Sequence, residues 1–204
     1  MHPSSAYRAK NPRALVEAYA LATVFTSTAD GLFSTASPLY FETDHTCEMR
    51  IIGHFSGANP HARVLAPGQD VLAVFTGPHA YVSPRWYVDK PTVPTWDYVS
   101  AEVRGTLTPV DAEEDKLHIL RRTVEKAEQG AKRPWTLQDA PDGKIETLLP
   151  RIRAFRILVS DIVGTTKLHQ THPEEDRARV AAKLEERGGT ADREVARFIR
   201  TPPE

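Results

Sequence analysis

The stretch Thr95 to Val110, TWDYVSAEVRGTLTPV, constrains the fold more than any other. Trp96, Tyr98, Ser100, Glu102 and Arg104 alternate there with Asp97, Val99, Ala101 and Val103. A period of two predicts a long strand with one aliphatic face and one aromatic, polar face. Other strand signals surround it. ALATVFTST and LFSTASPLYF flank Asp30-Gly31, a hairpin turn signal, and Pro38 predicts that the return strand ends, bulges or lies at an edge. Further strands are expected near Cys47 to His54, in DVLAVFTG around Val71 to Phe75, and in IRAFRILVSDIVGTTKL. Pro78 and Pro84 are expected to bracket a loop, HAYVS.

Helix signals are short and scattered. Asn11-Pro12 reads as an N-cap with proline at the first helical position, followed by Leu15, Val16 and Tyr19 on one face. Asn59-Pro60 predicts a short helix carrying His61, Val64 and Leu65. Asp111 with Glu114 suggests a capping box ahead of a stripe of Leu117, Leu120, Val124 and Ala127. Ile145, Leu148 and Leu149 suggest another short helix. Thr171 with Glu174 suggests the start of a charged helix bearing Val180 and Leu184, broken at Gly188-Gly189, with a final turn or two marked by Ala191, Val195 and Phe198. The strands are not each followed by a full helix, which disfavours a doubly wound sheet. The fold expected is mostly β, a small, largely antiparallel barrel with helices at its edge. Residues 1–204 read as a single domain, with 172–204 a charged helical C-terminal extension.

Charge and cysteine content narrow the function. The 26 Lys and Arg nearly cancel the 27 Asp and Glu, for a formal net charge of -1. That excludes a strongly cationic coat but leaves a local basic patch open. One cysteine excludes an intrachain disulfide framework and a cysteine-rich metal site. No segment approaches the roughly 20 apolar residues of a membrane span, and MHPSSAYRAKNPRAL lacks the apolar run of a signal peptide. A cytoplasmic protein is expected.

Four segments carry residues that a plain core does not need: GHFSGANPH, GPHAYVSPRWY, PTWDY and TKLHQTH. Two of the three tryptophans and three of the six tyrosines fall between Tyr81 and Tyr98. The clustering suggests an aromatic cleft for a flat ligand; packing of a tight proline-bounded loop is the alternative. His54 with His61, and His169 with His172, lack H-x-x-x-H spacing, and no HExxH occurs, so a metal site is not expected. No serine lies in G-x-S-x-G, and GHFSGAN is followed by no Walker lysine. A phosphate has possible partners in Lys167, a histidine and hydroxyls such as Ser34 or Ser37.

The segments GHFSGANP, FTGPHAYVSPRWY, VPTWDYVSAEVRG and TKLHQ resemble the PaiB-type proteins, described as FMN-binding negative transcriptional regulators. Order and spacing match from about Tyr7 through Arg187. The resemblance implies a split β-barrel of the flavin-reductase or pyridoxamine-phosphate-oxidase type, forming a homodimer with FMN in a groove between subunits. By that analogy Ser37, His54, Asn59, His61, Tyr87, Trp96, Tyr98, Lys167, His169 and Gln170 are the expected cofactor-binding residues. Trp86 joins Tyr87, Trp96 and Tyr98 along the groove or dimer seam, and Lys167 offsets the phosphate.

The chain departs from the family pattern. Asp97 stands for Asn in Pro-Thr-Trp-Asn-Tyr. His169, Thr171 and His172 replace the Ser, Asn and Arg of the stretch after Lys167. Reduced or retuned flavin affinity is the expectation, with Asp97 facing away from Trp96 and Tyr98 by alternation.

Three functions stay open at this level. One is an FMN-binding protein, with or without oxidoreductase activity, in which His54 and His169 are candidate proton-handling groups. Another is a dimeric transcriptional regulator, although the terminal helix mixes charges and no basic recognition helix follows a helix-turn-helix. The third is a divergent member holding another flat or phosphorylated ligand, such as haem.

Overall fold

The computed structural model describes residues 4–42, 48–88 and 93–203. Seven strands are hydrogen-bonded in the order β2-β1-β5-β6-β7-β4-β3. They are β1 (Leu21–Thr28), β2 (Gly31–Pro38), β3 (Tyr40–Phe41), β4 (Arg50–Ser56), β5 (Gln69–Val82), β6 (Thr95–Val110) and β7 (Ile152–Lys167). The helices are α1 (Pro12–Ala18), α2 (Pro60–Arg63), α3 (Glu113–Ala127), α4 (Lys144–Leu148), α5 (Glu174–Arg187) and α6 (Thr190–Arg200). No described helix is long and apolar enough to cross a membrane.

The chain forms two compact units, and β5, β6 and β7 each run through both. The first contains residues 1–19, 75–102 and 162–204; the second contains 20–74 and 103–161.

In the second unit, β1 and β2 form a hairpin in which Thr28 pairs with Gly31 across Ala29 and Asp30. Gly31 has φ 115°, a backbone conformation that only glycine adopts cheaply. β2 ends at Pro38, and the short β3 that follows pairs with β4. β4 runs antiparallel to β7, with Gly53 opposite Phe155. The strand expected near Cys47 starts at Arg50; Cys47 lies outside the described residues. Helix α3 seats Ile119 on Ile52, Val110 and Ala154.

Two sequence expectations for α3 are corrected. Its N-cap is Ala112, without a side-chain cap, because Asp111 is paired with Arg153. Its buried residues are Ile119 and Thr123 rather than the predicted stripe, and Ala127 is exposed. Thr123 buries at little cost because its hydroxyl donates to the Ile119 carbonyl at 2.8 Å.

His61 lies in the core of the same unit. Its ring packs 4.8 Å from Phe55 and 5.6 Å from Phe33. Nε2 is 2.9 Å from the Thr26 hydroxyl and Nδ1 is 3.0 Å from the Thr35 hydroxyl. A hydroxyl both donates and accepts, so a neutral ring satisfies both contacts. Burial disfavours the imidazolium and lowers the pKa of His61 below 6.5.

In the first unit, the N-cap Asn11 accepts from the Ala14 N–H at 3.2 Å, and α1 buries Leu15 and Val16. β5 continues through Pro78 to Val82, so His79 to Val82 of HAYVS is strand, not the expected loop; proline removes one ladder donor without ending the element. Helix α5 begins after Pro173, two residues later than expected, because Thr171 makes no cap and its hydroxyl meets that of Tyr7 at 3.5 Å. Gly188 closes α5 at φ 76°. α6 then runs for 11 residues, longer than the expected turn or two, because Val195, Ala196, Phe198 and Ile199 all bury.

Two outcomes follow for stability. Gly105 has no room for a side chain, since a Cβ there runs into the Leu158 carbonyl and the Ile157 side chain. Gly105→Ala is expected to cost about 1–3 kcal/mol of unfolding free energy in denaturant titrations, the range for overpacking. The second concerns acid. His54, His61 and His172 all have lowered pKa values, chiefly from burial. The unfolded chain therefore binds more protons than the folded one below the ordinary histidine value of 6.5. Stability should fall as pH drops through that value, then level off below the folded pKa values as far as these groups are concerned. His61→Asn should show a shallower loss than the parent protein between about pH 7.5 and about pH 5.5. Equal slopes would contradict the assignment.

Candidate functional site

The site in the first unit is set by the alternation of β6. Trp96 and Tyr98 lie on the outward side, while Asp97 joins Val99 and Ala101 on the buried side. Asp97 has 0% exposure. Its Oδ2 lies 2.5 Å from Nδ1 of His169, a ring that is itself 3% exposed. Nε2 of His169 lies 2.5 Å from the Tyr87 hydroxyl.

His169 sits in the turn between β7 and α5 with φ 60°, the only left-handed non-glycine residue among those described. That conformation costs about 1–2 kcal/mol outside glycine. Gln170 holds the turn in place. Its Oε1 accepts from the Leu168 N–H at 2.7 Å, and its Nε2 donates to the carbonyls of Thr166 at 2.5 Å and Ala6 at 3.0 Å. Its amide is committed to the backbone.

Tyr7, Tyr87, Val93, Thr95, Asp97, Lys167, His169 and His172 line a hollow of about 180 Å³. Lys167 Nζ donates to the Thr95 hydroxyl at 2.5 Å. The Trp96 strand and the Lys167 turn therefore meet, but through Thr95 and Asp97 rather than through the Trp96 ring. His172 stacks on Tyr87 with ring centroids 5.4 Å apart and lies 4.4 Å from His169. The Val88 N–H donates to Asp176 Oδ1 at 2.7 Å, anchoring the chain just after Tyr87.

Burial, reinforced by the charges of Asp97 and Asp176, pushes the Tyr87 phenol up to about 12. Burial and the neighbouring His169 lower the pKa of His172. Asp97 Oδ1 and His172 Nδ1 are buried without a hydrogen-bond partner among the described residues.

Aromatic side chains on the outward side are exposed. Trp96 is 53% exposed and Tyr98 is 37% exposed. The Trp96 ring lies 5.9 Å from Tyr81, edge-on, and 6.1 Å from His79. Trp86 lies under the Arg187 guanidinium, 5.5 Å from its ring centroid.

The remaining expected residues belong to the second unit. Ser37 is buried, and its hydroxyl donates to the His54 carbonyl at 2.9 Å. Asn59 caps α2 through the His61 N–H at 2.9 Å and donates to the Thr35 hydroxyl at 3.0 Å. His61 has both nitrogens occupied by threonine hydroxyls. His54 is different: its Nδ1 is buried without a partner among the described residues.

Sequence reasoning placed His169 and Tyr87 in the site but missed the Asp97 connection between them and the parts played by Tyr7, Val93 and Asp176. It read Asp97 and His169 as two separate departures from the family pattern. They are the two ends of one hydrogen bond. A carboxylate and an imidazole appearing together in two motifs was the available signal. Among the described residues, no group of three or more His, Cys, Asp or Glu side chains is placed to hold a metal ion.

The family described as "Putative FMN-binding domain" matches residues 1–161. The chain is 31% identical over 188 residues to the protease synthase and sporulation protein PAI 2 of Bacillus subtilis, covering 90% of this chain and 87% of that one. Among solved structures it is similar to a conserved hypothetical protein of Mycobacterium tuberculosis, at TM-score 0.56, 13% identity and coverage of 85% and 95% of the two chains. It is also similar to the flavocytochrome Anf3 of Azotobacter vinelandii, at TM-score 0.54, 18% identity and coverage of 84% and 73%. The open antiparallel sheet with flanking helices matches the split-barrel fold of that family. The chain belongs to the FMN-binding split-barrel family of PaiB-like proteins.

Proposed function

We propose that this protein binds FMN and works as a flavoprotein homodimer. The observation that carries the reading is the family match over residues 1–161. The outward face of β5 and β6 fits a flat ring. Tyr81, Trp96 and Tyr98 are each more than a third exposed, although burial is the ordinary fate of large aromatic surface. A conjugated ring stacked on that face gains area burial and favourable ring contacts. A second subunit laid over it would exclude water and repeat the site by symmetry. FMN, when bound, supplies the redox chemistry; the protein sets its access and electrostatics.

Two alternatives draw less support. For haem, the two candidate ligands are His169, both of whose nitrogens are engaged by Asp97 and Tyr87, and His172, which is stacked on Tyr87 with Nδ1 buried. For DNA, many cations of α5 and α6 are neutralised locally, by Lys183–Glu186, Arg187–Asp192, Arg200–Glu185 and Arg197–Glu194 pairs.

Purified protein mixed with FMN should show the flavin absorption bands after removal of free ligand, and light scattering should give twice the chain mass. Trp96→Ala should weaken FMN binding roughly threefold to tenfold, the value of one aromatic contact. A colourless protein that leaves FMN fluorescence unchanged would end this reading.

A further inference from the structure

The Asp97–His169–Tyr87 chain has a direction that one proton reverses. An ionised Asp97 only accepts, so Nδ1 of His169 carries hydrogen. With the ring neutral, Nε2 is a lone pair and the Tyr87 hydroxyl donates to it across 2.5 Å. Tyr87 then offers only its oxygen lone pairs to the hollow. With the ring protonated, Nε2–H donates to the Tyr87 oxygen. The phenolic hydrogen is then released to point at a ligand.

The groups around His169 come from several elements: Asp97 from β6, Tyr87 from the segment after β5, Lys167 from the end of β7 and His172 from its own turn, while Asp176 of α5 acts on Tyr87 and His172. Tyr7 completes the lining. With its pKa raised to about 12, Tyr87 stays a protonated donor rather than a tyrosinate.

Size and lining indicate the ligand. At about 30 Å³ per water, the hollow of about 180 Å³ holds the equivalent of roughly six waters, close to one six-membered ring and its substituents. Rings of Tyr7, Tyr87 and His172 and the methyls of Val93 supply apolar wall. Polar lining comes from Tyr87, Lys167 and Asp97, whose Oδ1 is buried without a hydrogen-bond partner among the described residues. A donor that can be switched on and a cation together match an oxygen that exists as both O⁻ and O–H.

We propose that this hollow binds a single-ring phenol or cyclic enol by its oxygen, and that Tyr87, backed by His169 and Asp97, passes a proton to that oxygen. In the step, the ligand oxyanion takes the phenolic proton of Tyr87. The Nε2–H bond of the imidazolium breaks as its proton restores the Tyr87 hydroxyl. Oxyanion plus imidazolium become neutral ligand plus neutral imidazole; no oxidation occurs, and Asp97 remains a carboxylate. Tyr87 touches the ligand and is the catalytic residue. His169 and Asp97 are positioning residues. The inference goes beyond the flavin reading and does not require it.

The test uses the full chain without flavin and two probes, 2,4-dinitrophenol, which is ionised throughout the neutral range, and phenol, which is not. Dinitrophenolate affinity should rise as pH falls, with a limiting slope of about tenfold per pH unit, that of one coupled proton. Phenol should show no such rise. His169→Gln should flatten the dinitrophenolate profile, Asp97→Asn should move its midpoint to lower pH, and His172→Asn should leave the slope in place. Should the variants fail to fold, ring-carbon NMR of the unsubstituted protein serves instead. Saturating dinitrophenolate must move the His169 titration to higher pH, by reciprocity of linked binding. Absence of dinitrophenolate binding, an equal slope in His169→Gln, or an unmoved His169 titration would each overturn the proposal. So would inorganic phosphate binding that shifts the His169 resonances where the phenols do not, since the hollow would then be a simple anion site. Failure of FMN to bind would leave it standing.

Discussion

A carboxylate with no solvent exposure must be compensated. An unpaired buried charge costs several kcal/mol, more than most single interactions contribute to a domain's stability. Asp97 is such a group, and His169 is its partner. That bond ties the buried side of β6 to the turn after β7. It also accounts for a backbone that would otherwise be unfavourable: His169 holds φ 60° because both its ring nitrogens gain short hydrogen bonds there. Gln170 then fixes the turn from its other side through three backbone contacts. The hollow follows from these constraints.

The same alternation separates two chemistries on neighbouring residues of one strand. Trp96 and Tyr98 present ring faces outward, where a flat ligand or a second subunit would be received. Thr95 and Asp97 line the polar hollow with Lys167 and His169. A shift of one residue in the register of β6 would exchange the two sets. The valine and alanine positions that follow, Val99, Ala101 and Val103, guard against that shift because they bury on the Asp97 side. The apolar half of the strand thus specifies where its functional half points.

Much of this was legible in the sequence, and for identifiable reasons. Thr95 to Val110 shows its strand by strict alternation, and the alternation correctly turned Asp97 away from Trp96. Asn11-Pro12 and Asn59-Pro60 marked helix starts because a side-chain acceptor and a fixed φ act locally. What failed was set by distant partners. Asp111 looked like a helix cap and pairs with Arg153 instead. Pro78 looked like a strand end, yet β5 continues through it. The site divided in the same manner. Residue type singled out His61 as readily as His169, but Thr26 and Thr35 occupy the first ring while Asp97 and Tyr87 align the second. Sequence shows that a histidine is present; only the partners of its two nitrogens decide whether it is a core spacer or a proton carrier.

This distinction bears on how a family scaffold acquires a new role. A lone Asp97 behind the aromatic face would be a buried, unpaired charge, and a lone His169 would occupy a strained backbone position with one nitrogen lacking its acceptor. Each substitution is unfavourable by itself, and together they satisfy one another. Coupled groups of this kind contribute as a unit. The pair therefore acts as one unit in the chemistry of the hollow. The outward aromatic face, which uses neither side chain, is left free to keep its own ligand.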